Sequence, residues 1–546
     1  MNAVQSKKVI SLMPLLFMLL SRDLTAASAE FIRLSAGKLE MVTDAGEAAG
    51  RRALLQMRRM EQLLGRKPLP LRAFLFRDEQ HFRELRPSPT SKGFYQSSAE
   101  RDYLAVVSGP EDLRALSHEF VHASVEHTTT RRPQWLEEGI AEFYSTVTLD
   151  KDKWLVGRPI PGHVGLLSQV DWLPGAELFA AGKESQIYNE ANRVGIFYAQ
   201  SWAVTHLLYT APGYREQMPA FAGLLDQGVT AEEAMRSAFR KESRQIMNDA
   251  RRHILERRFP VAALVADSVS EDEVTVDRLG DEAVAELALA CGKSGYAARL
   301  YRGKGDDSAM GLLALAQGNR AEALRRFEAA VRKGVPEATP YFEAAMLRRE
   351  AGQDFEPLLR HVVAKAPQHA EAWFLLGLQA ARSENWEDAV DAYQQATRVM
   401  PRQANFWHAM AMALVRSGRT AEARQAALQC RLAASNEPER QMAAALANLV
   451  AGGTPAAPVR KPAVTVPDAW QGLRGDATGE GILEELTCSE PATMRVAGIG
   501  ELRVLRPSEV RITGGSATLT CGLQKRRVRV GFISATRELV SIEFLR

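Results

Sequence analysis

The strongest constraint on the fold is a pattern that recurs every 34 residues in the second half of the chain. Trp407 follows Trp373 at this spacing, and Ala423 follows Ala389. The surrounding sequence is rich in alanine and reads as helical. A single helix pair of this length cannot bury its apolar face alone, so successive pairs must stack on one another. The sequence therefore predicts a short solenoid of helix pairs.

The residues of one repeat match a known pattern. They are Trp373, Leu376, Gly377, Ala389, Tyr393, Ala396 and Pro401. This unit resembles the tetratricopeptide repeat (TPR). We expect about four such repeats over residues 281–450, including a degenerate copy near residues 342–367. The resemblance implies a surface that binds a peptide or a partner protein. The alternative is a scaffold that only packs on the rest of the chain, and in either case we expect no catalytic role.

A second feature, His118 to His122, indicates a metal site. The two histidines are four residues apart, so on a helix both imidazoles can reach one ion. Glu119 lies beside them and can hold a water against that ion as general base. After a break, a second helix is expected near Trp135, with Glu138 and Glu142 one turn apart. A carboxylate from this helix would give the three protein ligands and open position of a catalytic zinc.

The two motifs, HEFVH at residues 118–122 and WLEEGIAEF at residues 135–143, resemble the gluzincin metallopeptidases. The closest resemblance is to the bacterial peptidase-MA-like proteins, and it runs from about Phe31 to about Pro260. It implies a Zn²⁺ cofactor and a peptide or protein substrate. An aminopeptidase-type motif is not recognisable, so we expect an endopeptidase. The roles implied by the resemblance are metal ligands at His118, His122 and Glu138, with Glu119 as base.

Alternatives stay open for these residues. His118 and His122 could be core histidines or ligands of a purely structural metal. Glu137 or Glu142 could replace Glu138 as the third ligand, although we expect Glu142 to accept a hydrogen bond from a ligand histidine. His127 is expected to face solvent.

A peptidase also needs a donor for the oxyanion that develops on the scissile carbonyl. Tyr198, on an apolar helix, is our candidate, and the alternative is that it is simply a core aromatic residue. Tyr188 and His206 are weaker candidates. Residues 103–107, just before the histidine motif, are expected to form an edge strand that binds the substrate by strand addition.

The start of the chain predicts export. Lys7 and Lys8 precede an apolar run, and Ala27-Ser28-Ala29 fits a small-residue cleavage site. We therefore expect a signal peptide cut after Ala29 and a periplasmic or secreted protein. An uncleaved membrane anchor is the alternative. No later segment is apolar and long enough to span a bilayer, so the mature chain should have no transmembrane span.

The C-terminal part differs from the repeats. Residues 454–470 read as a proline-stiffened linker, and residues 471–546 alternate polar and apolar residues as β-strands do. Cys488 and Cys521 end two of these strands, and we expect a disulfide between them in an oxidising compartment. Cys291 and Cys430 read as buried thiols. A basic row at residues 525–529 is expected to be a solvated strand edge.

Together these features predict an α+β multidomain protein. Its parts are a signal peptide (1–29), a gluzincin-like metallopeptidase domain (30–260), an α-solenoid of TPR repeats (281–450), a linker (454–470) and a small C-terminal antiparallel β domain (471–546), either sandwich or barrel. The net charge of +3 implies no nucleic-acid partner. The expected function is an exported zinc peptidase. The alternative is a non-catalytic envelope binding or assembly protein with a relic peptidase domain.

The exported chain should begin at Glu30 and carry a Cys488–Cys521 disulfide, because a charged start and a short apolar core precede the Ala-Ser-Ala site. Mass spectrometry of the exported protein, with and without reduction, measures both features. An intact Met1 in a cytosolic fraction would contradict export, and two free thiols would contradict the disulfide.

Overall fold

The computed structural model describes most of the chain. The described residues are 31–65, 70–88, 91–127, 132–182, 191–257, 259–265, 274–301, 305–452, 476–487, 492–505, 510–513 and 522–545. The chain divides into two compact units, Met1–Pro455 and Ala456–Arg546. Some predicted features lie outside the described residues, namely the signal peptide of residues 1–29, the linker of residues 454–470, Tyr188, Cys488 and Cys521.

Nine strands lie in the described residues of the first unit. They are β1 (Phe31–Ala36), β2 (Leu39–Thr43), β3 (Leu71–Phe76), β4 (Gly93–Gln96), β5 (Asp102–Val107), β6 (Thr148–Asp150), β7 (Lys153–Val156), β8 (Ala262–Val265) and β9 (Thr275–Leu279). Six of them form a sheet in the order β4-β5-β3-β2-β1-β9, and the other three form a small sheet in the order β6-β7-β8. In the large sheet β3 is parallel to β2 and β5, while the other neighbouring pairs are antiparallel.

The prediction that residues 103–107 form an edge strand is wrong. β5 pairs with β3 on one side and with β4 on the other, so its backbone is already hydrogen-bonded on both sides. The edge strand at this end of the sheet is β4. An apolar strand before a helix looks the same at the edge and in the interior, and only the strand order separates the two cases.

Every residue of the central strand β3 is buried. A strand covered on both faces needs a nearly continuous apolar run, and Arg72 is the exception here. Its guanidinium is paired with Glu40 at 2.6 Å and with Glu286. Glu286 also accepts a hydrogen bond from the Tyr103 hydroxyl at 2.6 Å. A buried charge needs such partners to remain in the folded interior.

In the described ranges, ten α-helices accompany these strands. They are α1 (Glu47–Leu64), α2 (Glu79–Leu85), α3 (Asp112–Glu126), α4 (Gln134–Ser145), α5 (Pro161–Gln169), α6 (Gly175–Ala180), α7 (Ala191–Thr210), α8 (Met218–Asp226), α9 (Ala231–Phe239) and α10 (Ser243–Leu255). Helices α1 and α3 cover one face of the large sheet through residues such as Met57 and Phe120. Helices α4 and α6 to α10 share a separate apolar core around Trp135, Phe197 and Phe221. The sheet and this second core hold α3 and α4 between them.

The opposite face of the sheet is covered by residues from the helical part of the chain. Helix α11 (Glu282–Ala290) contributes Val284 and Leu287 to a common core with Phe74 and Phe76, and α12 (Ser294–Tyr301) contributes Ala297 and Tyr301 to the same core. Strands β8 and β9 also follow residue 260, where the peptidase-like domain was expected to end. The sheet therefore continues past that boundary, and residues on both sides of it bury a common core.

The remaining helices of this unit form the predicted stack. They are α13 (Asp307–Ala316), α14 (Arg320–Arg332), α15 (Thr339–Glu350), α16 (Glu356–Lys365), α17 (Ala370–Arg382), α18 (Trp386–Val399), α19 (Ala404–Arg416), α20 (Thr420–Ala433) and α21 (Glu437–Val450). Glycine permits close packing within the pairs, since a Cβ at Gly377 would stand 2.6 Å from the Tyr393 ring. Cys430 is a buried thiol as expected, whereas Cys291 is only partly buried.

The second unit is a small mixed β-sheet. Its strands are β10 (Ala477–Thr487), β11 (Ala492–Val496), β12 (Gly500–Val504), β13 (Arg511–Thr513), β14 (Gly522–Ile533) and β15 (Glu538–Phe544). Their order is β12-β11-β10-β14-β15-β13, and a further pairing of β12 with β15 closes the sheet on itself. The pairings of β15 with β12 and β13 are parallel, so the sheet is not purely antiparallel as predicted. In the basic row, Arg529 is exposed and paired with Glu480 and Glu543.

Among the described helices, none combines the length and the apolar character that a membrane crossing requires.

A fragment that ends at residue 260 should not fold stably, because it lacks β9 and the helices that bury Phe74 and Phe76. Each exposed phenylalanine costs about 1.5–3 kcal/mol, and a whole domain is stable by only about 5–15 kcal/mol. A fragment ending at residue 452 is the matched control and should unfold cooperatively. Thermal unfolding followed by circular dichroism measures both. Cooperative unfolding of the shorter fragment at the same temperature would contradict this prediction.

Candidate metal centre

Three potential metal ligands meet between α3 and α4. His118 and His122 lie one turn apart on α3, and their Nε2 atoms are 3.1 Å from each other. The Oε2 atom of Glu138, on α4, is 3.5 Å from His118 Nε2 and 3.3 Å from His122 Nε2. In the part of the chain that the structure describes, this is the one group of three such side chains whose ligand atoms converge within 4.8 Å.

The separations fit a single ion. Nitrogen and oxygen ligands lie about 2.0–2.1 Å from zinc, and at tetrahedral angles two such atoms are about 3.3 Å apart. The three observed distances are close to this value. Two imidazole nitrogens and one carboxylate oxygen are also a donor set that zinc takes in catalytic sites, where a fourth position stays open. The residues present therefore fit a zinc ion.

The sequence around α3 explains how the histidines are oriented. Leu116, Phe120 and Val121 of this helix pack into the sheet core, which leaves His118 and His122 on another side of the helix. Glu111, the residue before α3, makes no side-chain cap. Asp112 instead accepts hydrogen bonds from the backbone N–H groups of Leu113 and Gly109, at 2.7 and 3.4 Å. The start of α3 is fixed by this residue.

Helix α4 holds Glu138 through close contact with α7. A Cβ atom on Gly139 would overlap with the Thr205 hydroxyl and the Ser201 carbonyl of α7. Only glycine permits this approach, and it fixes the position of the neighbouring Glu138. The second oxygen of Glu138, Oε1, accepts a hydrogen bond from Gln134 Nε2 at 2.7 Å. The third ligand is thus oriented both by its backbone and by a side-chain donor.

Glu142 lies behind His118, one turn further along α4 than Glu138. Its Oε1 atom is 3.6 Å from His118 Nδ1, the ring nitrogen away from the ligand cluster. Its Oε2 atom accepts a hydrogen bond from Arg114 at 2.9 Å and lies 3.4 Å from His163 Nε2. A carboxylate in this place fixes the orientation of a ligand imidazole and raises its basicity.

The charges in the cluster favour a cation. Burial opposes protonation of His118, but the hydrogen bond to Glu138 and the charge of Glu142 prevail and raise its pKa to about 9. Burial would raise the pKa of Glu142, yet His118 and His163 outweigh it and lower it to about 2. The histidines likewise hold the pKa of Glu138 well below its usual range, against the effect of burial. Both carboxylates are therefore ionised, and a divalent ion bound here would supply positive charge beside them.

Glu119 is placed beside the edge strand. A Cβ on Gly93 of β4 would lie 3.3 Å from Glu119 Cγ, so the two chains approach closely at this point. Burial raises the pKa of Glu119, although His118 and His122 act in the opposite direction. A carboxylate whose pKa is raised accepts a proton more readily than an ordinary one.

The candidate oxyanion donors differ in position. The Tyr198 ring, on α7, is partly buried, and its centroid lies 6.1 Å from that of His118. His206 is fully buried, with its ring nitrogens 2.8 Å from the Gly157 carbonyl and 2.8 Å from His253. His206 is therefore engaged elsewhere, and Tyr198 is the candidate that the fold brings near the ligands.

The expectation that His127 faces solvent is wrong. This side chain is buried, with Nε2 2.6 Å from Asp102 and 3.3 Å from the Tyr95 hydroxyl. Sequence reasoning also missed Arg402, which reaches α3 and α4 from the repeat region. Such contacts join residues far apart in the chain, and local periodicity carries no signal for them. His163, which lies near Glu142, could have been noticed in the sequence, because it is a histidine on a helix that follows the HEFVH motif.

Comparison with known families identifies the helical stack. Two tetratricopeptide repeat models match the chain, over residues 308–353 and 370–403. The chain therefore carries tetratricopeptide repeats, and that part of the sequence prediction is confirmed.

Three solved structures are similar to a part of the chain. One titled MamA AMB-1 has 19% identity, covers 27% of this chain and 88% of that one, with a TM-score of 0.24. A MamA RS-1 double mutant has 20% identity, covers 28% of this chain and 92% of its own, and has a TM-score of 0.24. YrrB, titled a TPR protein with an unusual peptide-binding site, has 18% identity, covers 30% of this chain and 79% of its own, and has a TM-score of 0.22. A comparison with curated proteins finds no match.

Gly139→Ala should destabilise the protein by about 1–3 kcal/mol, since the added methyl group forces α4 away from α7. Gly165→Ala, on α5, is the matched control, because a Cβ there meets nothing within 4 Å and alanine favours a helix by up to about 1 kcal/mol. Urea denaturation compares the free energies of unfolding. Equal stability of the Gly139→Ala protein and wild type would show that α4 does not depend on this contact.

Proposed function

We propose that the chain is an exported zinc-dependent peptidase that hydrolyses peptide bonds of a protein or peptide substrate. The observation that carries the proposal is the convergence of His118, His122 and Glu138 at ligand distances, with Glu142 behind His118. The expected signal peptide of residues 1–29 is the reason for proposing export to the periplasm or the medium. The resemblance of both motifs to the gluzincin metallopeptidases supports the same activity.

His118, His122 and Glu138 would hold the ion, and zinc, when bound, polarises a carbonyl group and makes a water more acidic. Glu119 accepts the proton of the attacking water and later returns it to the leaving amine. Its raised pKa suits both transfers. Tyr198 can donate its hydroxyl proton in a hydrogen bond to the developing oxyanion, given its place beside His118.

The edge strand β4 supports a peptide as the substrate. Its outer edge is unpaired among the described strands, and an extended peptide can add to such an edge through main-chain hydrogen bonds. Gly93 places this strand against Glu119, so an added peptide would run past the general base. Because main-chain hydrogen bonds do not depend on side chains, β4 gives affinity for an extended chain rather than for one sequence.

The repeats supply a second surface for proteins. Tetratricopeptide repeats stack into a curved surface that suits an extended peptide or a partner protein. In this chain they follow the metal-centre domain within one compact unit. We propose that they hold the substrate protein, or a partner that delivers it.

Glu119→Gln should lower peptide hydrolysis by about 10²- to 10⁴-fold while zinc content stays unchanged, because the amide keeps the shape and removes the base. Glu111→Gln is the matched control, since that carboxylate is exposed at the start of the same helix. Initial rates on a casein-type substrate are the measurement. Equal rates for wild type and Glu119→Gln would remove Glu119 from this role, and no hydrolysis by zinc-loaded wild type would favour a non-catalytic binding protein.

Wild type should bind about one zinc per chain, and His118→Ala, His122→Ala and Glu138→Ala should each lose stoichiometric binding. Glu142→Ala should weaken binding by only about 10- to 100-fold, because it removes the partner of a ligand rather than a ligand. Elemental analysis and competition with a chelator measure both effects. If Glu142→Ala loses zinc while Glu138→Ala retains it, the third ligand is Glu142, one turn further along α4, and not Glu138.

A further inference from the structure

One buried arginine of the repeat region touches both metal-binding helices. Arg402 lies in the connection between α18 and α19, and its side chain is only 4% exposed. Its guanidinium is 3.1 Å from Glu126 Oε2 and 2.9 Å from Glu137 Oε1. Glu126 is the last residue of α3, and Glu137 lies in the first turn of α4. A single cation therefore joins the end of one metal helix to the start of the other.

The two carboxylates are closely connected to the ligands. Glu137 directly precedes Glu138, and Glu126 is one turn beyond His122 on the same helix. Glu137 also accepts a hydrogen bond from the backbone N–H of Arg132, in the connection between α3 and α4, at 3.1 Å. A shift of Glu137 would therefore move the third ligand and the connection together.

Apolar packing is incomplete beside this ion pair. A cavity of about 280 Å³ adjoins it, and Val121, Leu136 and Ile140 are among the residues that line it. Side chains that line a cavity lack packing partners on that side. The contacts of Arg402 add a polar link between α3 and α4 at this place.

The connection that carries Arg402 is itself held firmly. The Trp407 indole donates a hydrogen bond to the Pro401 carbonyl at 2.7 Å, which ties the connection to α19. On the other side, His127, the residue that follows α3, is bonded to Asp102 of β5. The segment that carries Arg402 and the residue after α3 are thus each tied to a neighbouring element by a hydrogen bond.

We propose that Arg402 is a positioning residue for the metal centre, so that the repeats help to form the site as well as bind partners. This inference rests on the proposed function. Arginine suits the role, because its planar fork can bond two carboxylates in a fixed geometry. Without it, Glu126 and Glu137 become two carboxylates of like charge with no shared cation, and they would move apart or recruit water.

Arg402→Met tests the proposal in the full-length protein, since methionine keeps an unbranched, flexible side chain and removes the charge and the guanidinium donors. Zinc affinity by chelator competition should fall about 10-fold, in line with changes to groups that support metal ligands. The absorption spectrum of the Co²⁺-substituted protein should change, because the ligand geometry changes. The kcat at saturating zinc on a short peptide should fall as well, although such a peptide needs no docking on the repeats. Arg402→Lys, which keeps the charge but not the fork, should give intermediate values.

Arg431→Met is the matched control. Arg431, on α20, also reaches from the repeats to the N-terminal part, where it donates to the Gln227 carbonyl at 3.4 Å. It touches neither metal helix in the described contacts, so its zinc affinity and Co²⁺ spectrum should match wild type.

The outcomes separate this inference from the proposed function. Wild-type zinc affinity and an unchanged Co²⁺ spectrum in Arg402→Met would overturn the positioning role, even if the melting temperature falls. Weaker zinc binding by Arg402→Met in a protein that cleaves no peptide would support the positioning role and refute the peptidase. If Arg402→Met does not fold, zinc affinity and the Co²⁺ spectrum are compared between Arg402→Lys and Arg431→Lys instead. Values equal to those of wild type in Arg402→Lys would then overturn the positioning role.

Discussion

The fold of the first unit depends on the need to bury both faces of its large sheet. Helices α1 and α3 cover one face, and α11 and α12 cover the face that carries Phe74 and Phe76. Because the second cover comes from the start of the helical region, the sheet and the repeats cannot be separated without exposing large apolar side chains. The ion pairs of Arg72 and Arg402 follow from this union, since both are buried where the two parts meet.

The metal centre shows how a polar cluster is kept inside such a structure. Two of its acidic side chains, Glu138 and Glu142, are almost fully removed from water, which would be costly for isolated carboxylates. Hydrogen bonds from Gln134 and Arg114 and the adjacent imidazoles compensate part of that cost. The part of that cost that is not compensated would be lowered by a cation at the point where His118, His122 and Glu138 meet. The electrostatic interactions that stabilise this cluster would thus also favour a bound metal ion.

The sequence was most informative where chemistry is local. The structure contains three features that the sequence predicted: the helix of His118 and His122, the helix that begins near Trp135 and carries Glu138, and the helix pairs of the repeats. Each of these depends on one helix or on neighbouring helices. It failed for β5, whose place inside the sheet depends on strand order, and for β9, which joins the sheet after more than ten intervening helices and strands. Arg402 was missed because its partner Glu137 is 265 positions away, and no periodicity extends over such a distance.

That separation has a consequence for the way the protein matures. Synthesis proceeds from the N-terminus, so α3 and α4 emerge from the ribosome long before Arg402 does. Contacts between distant segments form late in folding, because a large loop must be closed first. The pair of metal helices therefore gains its last support only when most of the repeats have been made. A truncated or stalled chain would contain His118, His122 and Glu138 and would still lack Arg402, which joins α3 to α4.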